Sequence, residues 1–385
     1  MNMNRNSRRH RHALNAWKPA AALCMALTAS GCISSEPPAA PPVHAPQTVE
    51  VSVTGIDEFG DVLLDVRNLN FEYGDSVDIE FSGGYKETEV PVYPEFYGNK
   101  GDHILTDYYK DYIVVAGIAC DFAGETKIEA GDTAVITMDE PAKYRELYEA
   151  YDIDPNWEQR PGQTTEEYLN AWNPVVGTLG KGILYRGSSP FDEQFRRVDE
   201  MGEYLEREGI RTIVSLSETS AEEIDQQRIP EYTRRLIREG NVIFIPLGID
   251  YRDPEAMKRI GEGLKKMTET EGPYMIQCNY GRDRTGVICA LLEGLCGATV
   301  KEIADDYMLS YKNLHEVPME PEALQYRLYY TRMKDRLSGI GFPPDGFESA
   351  DPEQISRKYL SECGMREEEI NRLKSVLEGK QPQRQ

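Results

Sequence analysis

The sequence predicts an α/β domain, a parallel sheet flanked by helices, preceded by a small β-rich domain. Two observations carry this. From Gly182 onward, short aliphatic runs alternate with stretches of helical periodicity, and strands separated by helices imply parallel pairing with both sheet faces covered. Upstream of about residue 140, short alternating runs are separated by Gly/Asp turn clusters, the pattern of a small barrel or sandwich. A chain of 385 residues is long enough for two such cores.

The first 48 residues read as an address and a tether. Residues 1–31 hold five basic residues (Arg5, Arg8, Arg9, Arg11, Lys18) and no acid, then an apolar run too short to span a bilayer comfortably. Ala29-Ser30-Gly31 precede Cys32, and small residues before a cysteine at that point resemble a bacterial lipoprotein signal. That resemblance implies a lipidated Cys32 as the new N-terminus and an exported, membrane-anchored lipoprotein of the bacterial cell envelope. An ordinary cleaved signal and an uncleaved anchor are the alternatives. Residues 32–48, rich in proline and alanine, read as a flexible-to-extended tether. The formal charge is −23, and without residues 1–31 there remain 38 basic against 66 acidic residues. Such a surface repels nucleic acid, so a phosphorylated substrate must be captured by a local positive cup.

Residues 49–140 supply the β-rich accessory domain. Val49–Val53 and Val77–Phe81 alternate, and Asp61–Val66, Ile113–Ala116 and Ala134–Met138 add further strands. Nothing here has catalytic spacing, and Asp57, Asp75 and Asp132 read as turn residues.

Residues 141–385 supply the second domain. A helix is expected around Thr165–Trp172, a strand at Ile183–Arg186, and a helix marked by Phe195, Val198, Met201 and Leu205. A strand follows at Ile210–Leu216, and Ser220 with Glu223 reads as a capping box opening a helix. Glu231–Glu239 is helical, Val242–Ile245 a buried strand, and Asp253-Pro254 a helix start with proline at its first position. Thr299 caps a later helix, and Asp351–Cys363 with Met365–Leu377 form a closing pair.

Between them lies Met275-Ile276-Gln277-Cys278-Asn279-Tyr280-Gly281-Arg282-Asp283-Arg284-Thr285-Gly286, a strand, a tight loop and a helix start. Unpaired N–H groups and the helix dipole make such a junction an anion-binding cup. A cysteine on its floor is suited to act as a thiolate nucleophile. In parallel sheets ligands sit at the carboxyl ends of the strands, where Arg186, Ser217, Asp250 and Cys278 would fall. The seven cysteines show no CxxC pairing, and Cys289 and Cys296 share one helix face as core residues. The five histidines show no zinc signature.

CNYGRDRTG (278–286) resembles the phosphate loop of cysteine-dependent phosphatases, and is closest to the bacterial tyrosine phosphatase group whose loop reads Cys-x-x-Gly-Lys-Asp-Arg-Thr-Gly. LYRGSSP (184–190), GIRTIVSLS (209–217), EGPYMIQC (271–278) and DDYMLSYKN (305–313) are similar to that group too. The resemblance covers about residues 174–380, and VSVTGIDEFGDVLLDV looks like the β-rich module of some exported members. It implies the cysteine-dependent phosphatase fold, a phosphocysteine intermediate on Cys278, and an Arg284 fork on two phosphoryl oxygens. Backbone N–H groups of Asn279, Tyr280, Gly281, Arg282, Asp283 and Arg284 would bind the remainder, Thr285 would hydrogen-bond the thiolate, and Gly286 would close the motif. No metal or other cofactor is required. The general acid is expected at Asp250, 28 residues before the cysteine, with Asp283 as rival. Arg186 would either reach the pocket mouth or pair with a carboxylate.

Two departures stand out. Gln277 occupies a position where the wider superfamily usually has histidine, and Arg282 replaces the more frequent lysine. The leading expectation is a protein-tyrosine-phosphatase-like phosphomonoester hydrolase acting on a phosphorylated protein or a small phosphomonoester. An inositol phosphate or phosphoinositide phosphatase with the same loop is one alternative. A catalytically idle phosphate-binding or adhesion lipoprotein is another.

Overall fold

In the computed structural model, residues 47–380 are described apart from 58, 99–100, 109–111, 119, 152–157 and 193–196. The first part is a closed barrel. Its strands are β1 (Thr48–Ile56), β2 (Val62–Leu64), β3 (Ser76–Phe81), β4 (Lys86–Tyr93), β5 (His103–Thr106), β6 (Val114–Gly117) and β7 (Thr133–Glu140), with helix α1 (Phe122–Thr126) between the last two. They close in the order β1-β2-β6-β5-β4-β3-β7. Alternation decides which side chains fill it: Val51 and Val53 of β1 and Val77, Ile79 and Phe81 of β3 are buried in one core with Leu105, Val115, Phe122 and Ile136. Asp121 caps α1 by accepting from Gly124 N at 2.8 Å.

Two barrel strands were not legible in the sequence. The first half of β4, Lys86-Glu87-Thr88-Glu89, is mostly exposed and polar, and Pro91 interrupts its second half. The four-residue β5 offers too short a run to show a period.

A connecting segment carries α2 (Arg145–Tyr151) and α3 (Thr165–Leu169), the latter opened by a Thr164–Glu167 capping box. The second part then alternates strictly. It runs β8 (Leu184–Ser188), α4 (Val198–Arg207), β9 (Thr212–Ser215), α5 (Glu231–Arg238), β10 (Val242–Phe244), α6 (Pro254–Met267), β11 (Tyr274–Cys278) and α7 (Asp283–Leu295). Four helices follow: α8 (Val300–His315), α9 (Leu324–Ser338), α10 (Pro352–Glu362) and α11 (Glu367–Leu377). The sheet order is β10-β9-β11-β8, all parallel. Along β11 the pleat sends Met275 to the core shared with α4 and α5, and Tyr274 and Ile276 to the larger core shared with α6, α7 and α8. Both faces are therefore covered, as the sequence rhythm implies.

Asp253 and Thr299 cap α6 and α8 through Ala256 N (2.8 Å) and Glu302 N (3.2 Å). The Ser220–Glu223 box does not form. Glu223 instead receives both N–H and hydroxyl of Thr219, and only a 3₁₀ turn, Ala221–Glu223, results. Helix α9 was not anticipated, because its buried residues, Tyr329, Met333 and Leu337, are few and Ala323 gives no side-chain cap. It joins the two parts: Tyr329 donates to the Tyr151 carbonyl at 3.4 Å, and Leu328 packs on the cluster of Tyr93, Tyr97 and Tyr151. Among the described residues no helix is long and apolar enough to cross a membrane.

Candidate active site

Cys278 is the last residue of β11, which lies inside the sheet between β9 and β8. A central strand places the sulfur at the carboxyl edge of the sheet, 3 % exposed, directly before the residues that lead into α7. Gly281 is what lets the chain turn there. Its φ is +65°, and a Cβ on it would fall 2.3 Å from Gly187 C and 2.5 Å from Ser188 N. Both the left-handed backbone and the approach to the end of β8 demand glycine.

The loop is held from behind by its carbonyl groups. Asn170 Nδ2 donates to Tyr280 O at 2.9 Å and to Gly281 O at 3.2 Å. Arg186 Nη2 donates to Gly281 O at 3.3 Å, and Ser310 Oγ approaches the same oxygen at 3.4 Å. With these carbonyls engaged on the protein side, the loop is fixed in shape, although the Asn279 N–H donates to Ser217 Oγ at 3.0 Å and the Gly281 N–H to Cys278 O at 3.2 Å, so these two amides are already engaged within the protein.

Arg186 therefore does not reach the pocket mouth. It is fully buried, ion-paired with Asp306 of α8, hydrogen-bonded to Ser310 at 2.9 Å, and stacked 4.6 Å over Trp172. The alternative reading, pairing with a carboxylate, is the one observed: the guanidinium props the loop rather than touching the ligand side. Trp172 Nε1 donates to the other oxygen of Asp306, completing the pair. Asn170 and Ser310 were missed because they act on Gly281 from 111 and 29 residues away, and Asp306 because it acts through Arg186, 120 residues away, where spacing carries no signal.

Arg284 lies in the first turn of α7 with its guanidinium held by backbone. Nη1 donates to Leu216 O (3.1 Å) and Leu247 O (3.3 Å), the chain just past β9 and β10, and Nη2 donates to Asn279 Oδ1 at 2.9 Å. Asn279 is itself braced, since its N–H donates to Ser217 Oγ at 3.0 Å and its Nδ2 lies 3.5 Å from Asp192 Oδ2. Asp192 is thus a carboxylate beside Asn279 of the loop that no sequence motif marks. Gln277 is fully buried and donates to Glu218 Oε2 at 3.1 Å, so the residue standing where histidine is usual ties β11 to the chain after β9. Thr285 is fully buried, and its hydroxyl has no partner among the described residues. Gly286 is a packing position: a Cβ there would lie 2.4 Å from the Tyr307 ring.

The two candidate acids stand in opposite surroundings. Asp283 receives Arg282 Nε at 2.9 Å and Nη2 at 2.8 Å. Burial alone would push its carboxyl up, but the guanidinium groups of Arg282, Arg332 and Arg336 outweigh it and hold the carboxyl well below the ordinary range. Arg282 is correspondingly turned inward, against Asp283, His315 and the Tyr311 ring at 5.4 Å. Asp250 is exposed in the loop after β10, and its Oδ1 accepts Arg252 N at 2.9 Å.

The remaining described cysteines are unlike Cys278 in place. Cys289 and Cys296 are core residues, and burial pushes the first thiol well up and the second up to about 12. Cys32 lies outside the described residues.

Residues 177–378 match the model of the tyrosine phosphatase family. No curated protein matches the chain. Among solved structures, P. aeruginosa TpbA in complex with pTyr is similar at 16 % identity and a TM-score of 0.30, over 51 % of this chain and 94 % of that one. The core catalytic domain of the PP-IP phosphatase SIW14 from S. cerevisiae is similar at 18 % identity and a TM-score of 0.24, over 46 % and 87 %. An uncharacterized conserved protein from Thermotoga maritima is similar at 17 % identity and a TM-score of 0.21, over 24 % of this chain and 38 % of that one.

Proposed function

Because the chain belongs to the tyrosine phosphatase family, we propose that it hydrolyses phosphomonoesters through a phosphocysteine, with phosphotyrosine as the substrate class. The observation that carries this reading is the loop itself: a strand-end cysteine below a turn whose carbonyls are tied back by Asn170, Arg186 and Ser310. Cys278 thiolate attacks phosphorus, the bond to the leaving oxygen breaks, and Asp250 gives that oxygen a proton. Water, deprotonated by Asp250, then attacks the phosphocysteine and returns the thiolate and inorganic phosphate. Arg284 and the loop N–H groups carry the charge on the three equatorial oxygens. Asp283 is not given the acid's role, because a buried carboxylate clamped by a guanidinium holds no proton to donate. The same clamp uses the charge of Arg282 internally, which favours phosphotyrosine over an inositol polyphosphate.

Full-length protein should turn over p-nitrophenyl phosphate and a phosphotyrosine peptide without added metal, and inositol hexakisphosphate poorly. Turnover no higher than that of Cys278→Ser would end the enzyme reading, and leave the idle phosphate-binding module. The N-terminal sequence supports export as a lipoprotein anchored through Cys32. Radiolabelled palmitate should enter wild type and not Cys32→Ala, and equal labelling would refute it.

A further inference from the structure

On the barrel, three residues from β5 and the chain after β6 converge. The ligand atoms of His103 at the start of β5, Cys120 before α1, and Glu125 within α1 all lie within 4.8 Å of one another. We propose that they form a transition-metal site of the zinc class, separate from the phosphate loop. Ligand chemistry sets the metal. One imidazole, one thiol and one carboxylate suit zinc, whereas calcium or magnesium would want oxygen alone. Ligands at about 2.0–2.3 Å from a tetrahedral ion stand roughly 3.3–3.8 Å apart, so small side-chain rotations close the site. Three protein ligands leave the fourth position to water.

A second observation points the same way. Glu87 of β4 lies 3.1 Å from His103 Nδ1. A carboxylate on one ring nitrogen fixes the tautomer and leaves the lone pair on the other, which is how metal-binding histidines are usually oriented. The His103 ring also stands edge-on to Phe122 at 4.7 Å, which restricts its plane. Among the described residues neither Glu87 nor Glu125 has a lysine or arginine within ion-pair reach, so two carboxylates gather around one imidazole with no fixed cation. A divalent ion balances that charge. Backbone packing sets the thiol in place as well: a Cβ on Gly117 would fall 2.4 Å from Cys120 Sγ.

The test uses full-length Cys278→Ser protein, so that the phosphate-loop thiol cannot supply the metal ligand. After chelation and buffer exchange, zinc is titrated against a chromophoric chelator, and cobalt(II) is added separately to report thiolate-to-metal charge transfer. One equivalent of zinc is expected, with a charge-transfer band and a raised Tm. Cys120→Ser and His103→Gln in that background should abolish the band. Glu87→Gln, a positioning change, should weaken binding about 10–100-fold while keeping the band. Each variant's Tm without zinc checks that it folds. Binding that persists undiminished in the Cys120→Ser background, or no zinc bound by the parent at micromolar concentration, would overturn the site. Neither outcome touches the phosphatase reading, which is measured with chelator present.

Discussion

Replacing Gly281 by alanine is the sharpest test of how the loop is built. An alanine must adopt φ near +65°, which costs a non-glycine residue about 1–2 kcal/mol. Its methyl group would also lie 2.3 and 2.4 Å from the carbon and oxygen of Gly187. These are backbone atoms of β8, paired in register with β11 from Leu184 to Ser188, so they cannot swing aside as a side chain would. The loop must move instead, by something near 1 Å. A misplacement of that size costs roughly 10²-fold in rate, and one lost oxyanion-type donor costs about 10²–10³-fold. Gly281→Ala should therefore lose at least about 10²-fold in kcat on p-nitrophenyl phosphate, while Tm falls by only a few degrees. The readouts are steady-state kinetics and calorimetry on the same preparation. A folded variant with kcat within about threefold of wild type would refute the reasoning, because the loop would then tolerate displacement.

Three further expectations follow from the same geometry. Asn170→Ala removes both ties to Tyr280 O and Gly281 O and should lower kcat more than it raises KM; a pure KM effect would mean these ties do not shape the loop. Asp250→Asn should depress kcat about 10²–10⁴-fold on a phosphotyrosine peptide and less on p-nitrophenyl phosphate, whose leaving group needs little protonation. If Asp283→Asn or Asp192→Asn gives that pattern instead, the acid is misassigned. Glu293 of α7 sits fully buried, where burial first and then Asp306 push its carboxyl well up while Arg186 opposes them. A folded value above the unfolded one gives stability that is complete below the ordinary glutamate range and lost as pH rises through the folded value. Glu293→Gln should flatten the decline in Tm above about pH 4.5, and an unchanged pH profile would contradict it. Asp283 runs oppositely: its depressed folded value gives stability present above the ordinary aspartate range and lost as pH falls below it.

What could be read from sequence was what is local. Asp253 and Thr299 cap the helices they precede, and the α/β rhythm from residue 182 is the observed alternation, since both depend on residues within a few positions of each other. The cysteine, Gly281 and Arg284 were legible for the same reason, being confined to one junction. Their supports were not. For Arg186 the sequence leaves the pocket mouth and a carboxylate partner both open, because that partner, Asp306, lies 120 residues on. The half-polar β4 and the sparsely buried α9 lack a clean period, because only part of each faces a core. His103, Cys120 and Glu125 follow no metal-binding spacing, and it is the antiparallel β5–β6 pairing, His103 opposite Gly117, that brings them together.

The Arg186–Asp306 pair also sets an order of events during synthesis. A chain made from its N-terminus presents Cys278 before Asp306 and Ser310, the residues that help hold the loop around it. At about 5–20 residues per second, the reactive sulfur precedes Ser310 by roughly 2–6 s. For that interval all four strands of the sheet exist, but the α8 residues that help hold the loop do not. The complete cup comes into being only when α8 does, so the nucleophile is made before the framework that shapes its loop.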